Sequence, residues 1–352
     1  MEKKLKIAVY GISLNEAQFV ERFCDSAKEA DCIVIADTGS TDNTVQLLKE
    51  NGAIVHEICI TPWRFDKARD ASLALVPKDI DVCVCLDLDE VLQPGWREEI
   101  ERLWQPDTTR MGYRFNWGHG KIFYSTKLHS RKGYHFHHPC HEYIRPDPRT
   151  VEKFVWSDML MVRHFPDETK SRGQYFDLLE MSVKEDPRCP RNAFYFAREL
   201  TYYSRWEEAI VALEHYLNMP EANWKNERAY AMRLLGDAED SLGRDGMMWY
   251  RRGVAEDPTV RETWLALSHA AARRNLWAES YSAAKSALAI TEQQFVYTMD
   301  PSSFTAKPYD LAALAAHYLG LKEEALKYGT IAVEMDPENE RLIKNLEYYA
   351  AK

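Results

Sequence analysis

The sequence predicts an α/β N-terminal domain built on a mostly parallel sheet, followed by an all-α domain of helical repeats. Three observations predict it: βαβ alternation through the first 90 residues, near-continuous helical texture after Thr169, and an internal repeat within that second half. The chain has 352 residues, and at roughly 150 residues per domain this length suggests two domains. We place them at 1–168 and 169–352.

The β-rich runs KIAVYGI, CIVIAD, AIVHEI and DVCVCLDLD are separated by amphipathic stretches starting near Asn15, Thr41 and Phe65. Near-continuous apolar strands such as CIVIAD imply a sheet covered on both faces, and ligands of such sheets sit at strand carboxyl ends. From Met111 to His164, alternating segments such as GYRFNW and KIFYST read as added strands and loops. The stretch beginning at Tyr309 then carries Gly320, Ala325, Ala332 and Pro337 at tetratricopeptide-repeat spacing. Earlier copies carry Ala209 with Tyr216, and Leu235 with Gly236, Gly243 and Ala255; a further copy starts at Trp264. About four helical hairpins are expected. The Asp257-Pro258 and Asp336-Pro337 pairs should stop second helices, because the residue before proline avoids the α region.

Hydrophobic residues make up 45% and charged residues 28%, an ordinary globular balance. A net charge of -10 argues against electrostatic binding of nucleic acid. The N-terminus shows neither a signal peptide nor a membrane span, so a cytoplasmic protein is expected. Seven scattered cysteines predict buried free thiols rather than disulfides. Cys83 and Cys85 should face one side of a strand.

Two motifs carry chemistry. The string from Asp37 to Thr44 follows an apolar strand and precedes a helix; Gly39 permits the turn, and Ser40 or Thr41 can cap the helix. Asp37 is then placed to accept hydrogen bonds from a ribose or a base amide. The second string, Asp87-Leu88-Asp89-Glu90, ends a buried strand. Three acids in four residues repel one another unless a cation joins them, and oxygen ligands of this kind suit Mg²⁺ or Mn²⁺.

In SLNEAQFV, IADTGSTDNT, WRFDKARDASL and LDLDE, the N-terminal region resembles inverting nucleotide-sugar glycosyltransferases of the GT-A fold. The likeness is to the family 2, lipopolysaccharide-core type, including bacterial members fused to tetratricopeptide repeats. It implies transfer from a nucleotide diphosphate sugar, first of all a UDP-sugar, to a hydroxyl of a glycan or glycoconjugate. Asn15, Glu16, Asp37, Arg69 and Asp87 would line the donor site. Asp89 would ligate Mn²⁺ or Mg²⁺, Asp87 would orient ribose or metal-bound water, and His164 would complete the metal shell. Asp70 stands where relatives usually have Asn, a change expected to alter a structural contact.

Inverting transfer needs a base for the acceptor proton. Five of eleven histidines lie between His129 and His141, and His141-Glu142 coincides with the His-Glu of the relatives. The resemblance therefore points to Glu142 as base with His141 positioning it, or the reverse, and Asp167 is next in line. HFHHPCHE also supplies plausible zinc ligands, but its spacing matches no closed structural site. Lys127, Arg131, Lys132 and Arg145 could hold a diphosphate or an anionic acceptor, or form a solvated face. The helical repeats could also pair copies of the chain into a homo-oligomer. Two alternatives stay open: a non-catalytic tetratricopeptide-type scaffold or binding protein, and transfer to a protein or a modified DNA base.

Overall fold

A computed structural model describes residues 4–167 and 173–351. The chain divides into two compact units, Met1–Ser182 with Phe295–Tyr297, and Val183–Gln294 with Thr298–Lys352. The boundary expected at residue 168 falls on 168–172, outside the described residues.

In the first unit the strands are β1 (Ile7–Ser13), β2 (Cys32–Asp37), β3 (Ile54–Glu57), β4 (Val82–Cys85), β5 (Glu90–Leu92), β6 (Arg110–Gly118), β7 (Lys121–Ser130), β8 (Tyr134–His137), β9 (Tyr143–Pro146) and β10 (Phe154–His164). Helices α1 (Val20–Ala27), α2 (Thr44–Glu50), α3 (Phe65–Leu75), α4 (Trp96–Leu103) and α5 (Gly173–Glu185) accompany them. Eight strands form one sheet in the order β3-β2-β1-β4-β7-β6-β10-β5, while β8 and β9 pair separately. Strands β3 to β4 are parallel; β7 joins β4 and β6 antiparallel, and β10 runs parallel to β6. The carboxyl ends of β1, β2, β4, β6 and β10 therefore share one edge.

Alternate strand residues pack on opposite faces, as the pleat requires. Ile7, Val9, Ile35 and Val84 meet Val20, Phe23 and Leu48 on one side. Ala8, Tyr10, Val34, Cys83 and Cys85 meet Leu73, Val76 and Phe136 on the other. Each fully buried Ile, Val or Phe contributes roughly 1.5–3 kcal/mol, so this doubly covered sheet is the stable platform for the edge. The seven cysteines are free, and Cys24, Cys83, Cys85 and Cys140 are buried. Burial pushes the Cys83 and Cys85 thiols up, which keeps them unreactive.

Helix α2 starts at Thr44, later than the capping expected of Ser40 or Thr41. Both residues are engaged elsewhere: the Ser40 hydroxyl donates to Asp37, and the Thr41 N–H donates to Asn15 Oδ1. Asp42 instead accepts from the Thr44 N–H at 2.9 Å.

Gly11 sits where β1 meets the chain leaving β4. A Cβ there would overlap the Leu86 carbonyl oxygen, a backbone atom one residue from Asp87. Gly11→Ala should cost about 1–3 kcal/mol by overpacking, read as a lower urea midpoint.

The second unit is helical: α6 (Pro190–Tyr202), α7 (Trp206–Asn218), α8 (Lys225–Ser241), α9 (Met247–Glu256), α10 (Arg261–Arg273), α11 (Trp277–Ala289), α12 (Lys307–Tyr318), α13 (Lys322–Met335) and α14 (Glu340–Ala351). The pairs α6/α7, α8/α9, α10/α11 and α12/α13 pack as four hairpins, and each hairpin packs on the next. Small residues sit where the helices touch: a Cβ on Gly236 would meet the Tyr250 ring at 2.7 Å. Helices α9 and α13 end just before Asp257-Pro258 and Asp336-Pro337. No helix among the described residues is long and apolar enough to cross a membrane.

Candidate active site

At the end of β2, Asp37 is 1% exposed. Its Oδ1 accepts from the Gly39 and Ser40 N–H groups at 3.0 and 2.8 Å, and its Oδ2 from the Ser13 and Ser40 hydroxyls at 2.7 and 2.6 Å. Two carboxylate oxygens offer about four lone-pair sites, and the Gly39–Ser40 turn together with Ser13 of β1 occupies all four. Gly39, at φ 112, supplies the turn. Asn15, left-handed at φ 53, donates its N–H to Ser40 Oγ at 2.8 Å. The buried Glu16 donates its N–H to Thr44 Oγ1 at 2.7 Å. Asn15, Glu16 and Asp37 thus tie the end of β1 to the turn after β2.

The end of β4 gathers the charges. Leu86 continues the parallel pairing through its N–H to the Tyr10 carbonyl at 3.0 Å, which delivers Asp87 to the edge. Arg69 on α3 is 4% exposed. Its Nη2 lies 2.8 Å from Asp87 Oδ1, its Nε donates to Glu142, and its Nη1 donates to Cys85 Sγ at 3.6 Å. Burial opposes that charge, but Asp87 and Glu142 hold the guanidinium firmly protonated. Lys127 Nζ stands 3.6 Å from Asp87 and 3.9 Å from Glu90. Burial pushes Asp87 up, and Arg69 with Lys127 overrides it, so this carboxyl sits well below its usual range. Glu90 goes the other way, pushed up to about 7 by burial and by the charges of Asp87 and Asp89. Its Oε2 accepts from the Asp87 N–H at 3.1 Å. Sequence alone assigns Glu90 a charge; folding turns it into a buried brace for Asp87.

Asp89 and His164 meet across the β5/β10 pairing, where His164 stands opposite Glu90 and the Phe165 N–H donates to the Asp89 carbonyl at 2.8 Å. Asp89 Oδ2 and His164 Nε2 are 3.2 Å apart. Burial pulls the imidazole down, but the hydrogen bond and charge of Asp89 more than offset it and raise His164 above its ordinary value. Two ligand atoms at right angles on one ion, each about 2.1 Å from it, stand about 3 Å apart, so this pair has the spacing of two neighbouring ligands. Among the described residues no group of three or more His, Cys, Asp or Glu is gathered for an ion. Asp87 is turned to Arg69 instead.

The histidine cluster separates by role. His129 is fully buried, with Nε2 at 2.8 Å from the Tyr10 hydroxyl and Nδ1 at 2.8 Å from the Ser130 carbonyl. A neutral ring donating from Nδ1 and accepting at Nε2 satisfies both contacts. Burial pulls its pKa down to about 3. Below the unfolded value near 6.5, the unfolded chain binds a proton that the folded chain refuses, so stability falls as pH drops from about 6.5 toward 3. Relative to His129→Gln, the wild type should lose about 2 kcal/mol more between pH 7 and pH 5, measured by urea unfolding.

His135 Nδ1 lies 2.9 Å from Asp147 Oδ1, and the His137 and His138 rings stand 4.1 Å apart. His141, left-handed at φ 50, places its ring 5.9 Å from Tyr175. Asp167 accepts from Gln18 Nε2 at 2.9 Å. Of the basic residues, Lys127 faces the acids, whereas Arg131 donates to the Val76 carbonyl at the end of α3. Arg145 and Lys132 are exposed. Asp70 accepts the Phe136 N–H at 2.7 Å, tying α3 to β8; an amide oxygen could accept the same bond.

Residues 11–168 match the model of Glycosyl transferase family 2. No curated protein matches the chain. Among solved structures, a crystal structure of the MamA protein is 16% identical over 48% of this chain and 87% of that chain, with TM-score 0.37. Pseudomonas aeruginosa pilF is 14% identical over 50% and 72%, with TM-score 0.40. TTC0263, a thermophilic TPR protein of Thermus thermophilus, is 16% identical over 51% and 92%, with TM-score 0.36. These likenesses are too weak to carry an argument, and the repeat character rests on the helix pairing and small-residue contacts above. Residues 11–168 form a Glycosyl transferase family 2 domain, and a tetratricopeptide-like helical region follows it.

Proposed function

We propose that the chain transfers a sugar from a nucleotide diphosphate sugar, a UDP-sugar before others, to a hydroxyl of a glycan or glycoconjugate, with inversion. The observation that carries this reading is Arg69, which joins Asp87 at the β4 end to Glu142 inside the family 2 domain. In the proposed reaction the acceptor oxygen bonds to the anomeric carbon as the bond to the diphosphate oxygen breaks. The acceptor proton passes to Glu142, and the nucleoside diphosphate leaves.

Arg69 holds the Glu142 carboxylate oriented for that proton, with His141 beside it on a strained backbone. Lys127 meets negative charge at Asp87 and can share it with a diphosphate. Asp89 and His164 have the chemistry and the spacing to hold Mn²⁺ or Mg²⁺, with remaining positions left to phosphate oxygens. Bound there, the cation would neutralise charge on the departing diphosphate. Because Asp37 is saturated, its expected contact with ribose or base requires the Ser40 hydroxyl to turn away from it. Asn15 and Glu16 then serve the donor through the shape of the turn.

Free buried thiols suit a reducing cytoplasm. The helical half is available for an acceptor or a second copy of the chain.

The purified chain, incubated with UDP- and GDP-sugars and Mn²⁺, should release nucleoside diphosphate. Absence of both release and nucleotide binding across the panel overturns the reading and favours a scaffold. Glu142→Gln should keep donor binding and slow transfer by roughly 10²-fold or more; an unchanged rate moves the base to His141 or Asp167.

A further inference from the structure

The shared strand edge has an order that the sheet topology dictates. Asp37 ends β2 on one flank, Asp87 and Asp89 follow β4, and the β6/β7 hairpin with His164 of β10 lies beyond them. A nucleotide laid across Asp37 and Asp87 therefore directs its far end, the glycosyl end, toward that hairpin. Trp117 stands there, near the carboxyl end of β6, and is 44% exposed. Its indole lies 4.3 Å from the His164 ring at 33°, with Phe115 at 6.1 Å and Phe123 at 6.5 Å. Gly118, His119 and Gly120 turn the hairpin tip with φ of 98°, 49° and 78°. The large apolar ring packs against aromatic neighbours while nearly half of the residue stays exposed. Other tryptophans are also exposed, Trp156 and Trp224 among them; Trp117 differs in its place, packed on the imidazole that pairs with Asp89.

We propose that Trp117 is a stacking platform for a pyranose ring beside the Asp89/His164 pair. A pyranose presents an apolar C–H face to an aromatic ring and directs its hydroxyls outward, and Asp89, paired with the His164 ring on which Trp117 packs, offers a polar partner. The ring could belong to the donor or to the acceptor. This assignment rests on the glycosyl-transfer reading above.

The test measures binding by wild type, Trp117→Phe and Trp117→Ala, with thermal melts to show that all three fold. Affinities for UDP, GDP, their sugar conjugates, and methyl glycosides of glucose, galactose, mannose and N-acetylglucosamine are determined with Mg²⁺ present. Saturation transfer to sugar C–H protons reports stacking. If the platform holds the donor sugar, Trp117→Ala weakens a nucleotide sugar roughly five- to tenfold while the parent diphosphate is unchanged. If it holds the acceptor, the same variant loses saturation transfer to a methyl glycoside with nucleotide-sugar affinity unchanged. Trp117→Phe should retain part of either effect. Normal nucleotide binding with identical sugar affinities in wild type and Trp117→Ala overturns the platform and leaves the glycosyl-transfer reading intact. Failure of the wild type to bind any nucleotide or nucleotide sugar overturns both.

Discussion

Arg69→Ala should unfold the first unit at markedly lower denaturant and abolish nucleotide binding. The guanidinium is 4% exposed and is shared by Asp87, Glu142 and Cys85. Removing one partner of a buried ion pair typically costs 3–5 kcal/mol, because the remaining charge is left in a low dielectric. Here two carboxylates lose their partner at once. Asp87 would lose the largest influence opposing its burial, leaving Lys127 and His164 against it. Lysine at this position should recover little, since an ammonium lacks the planar fork that reaches Asp87 and Glu142 together. Urea unfolding followed by circular dichroism and tryptophan fluorescence checks the stability loss. A midpoint within experimental error of wild type would show that Arg69 does not bear the charge balance of the edge.

Asp89→Ala should abolish metal-dependent turnover while leaving the fold nearly intact. Unlike Arg69, Asp89 has His164 as its side-chain partner, and its backbone bond to Phe165 survives the substitution. Transfer should fall by roughly 10³-fold, the scale for losing a group that organises charge at the reacting phosphates. A second readout does not depend on activity. Without Asp89 the hydrogen bond and charge that lift His164 disappear, and burial remains. The imidazole should therefore titrate at lower pH in the variant, seen in histidine proton NMR. Retained Mn²⁺-dependent transfer would remove Asp89 from the site.

Much of the fold is legible in residue order. The near-continuous apolar runs of β1, β2 and β4, the βαβ alternation, and the Asp-Pro helix stops are local signals, and each appears as expected. The start of α2 was not readable from capping propensity alone. Ser40 and Thr41 are good caps in isolation, but a bond back to Asp37 three residues earlier claims Ser40 and a long-range bond to Asn15 claims Thr41. The histidine cluster shows the same limit. Its residues are adjacent in sequence, yet His129 enters the core against Tyr10 while His135 reaches Asp147 near the surface.

Residue order by itself determined the two-part architecture, the motif residues at strand ends, and the absence of a disulfide framework, because periodicity, spacing and composition act over short stretches of chain. Tertiary structure alone decided what those residues face. It completed the partners of Asp37 with Ser13 of β1, set Arg69 between Asp87 and Glu142, and buried Glu90 so that its carboxyl is pushed well above its usual range. Distant partners such as Asp89 and His164, 75 residues apart, meet only when strand register is set. Their charge states follow from burial, which no local pattern encodes.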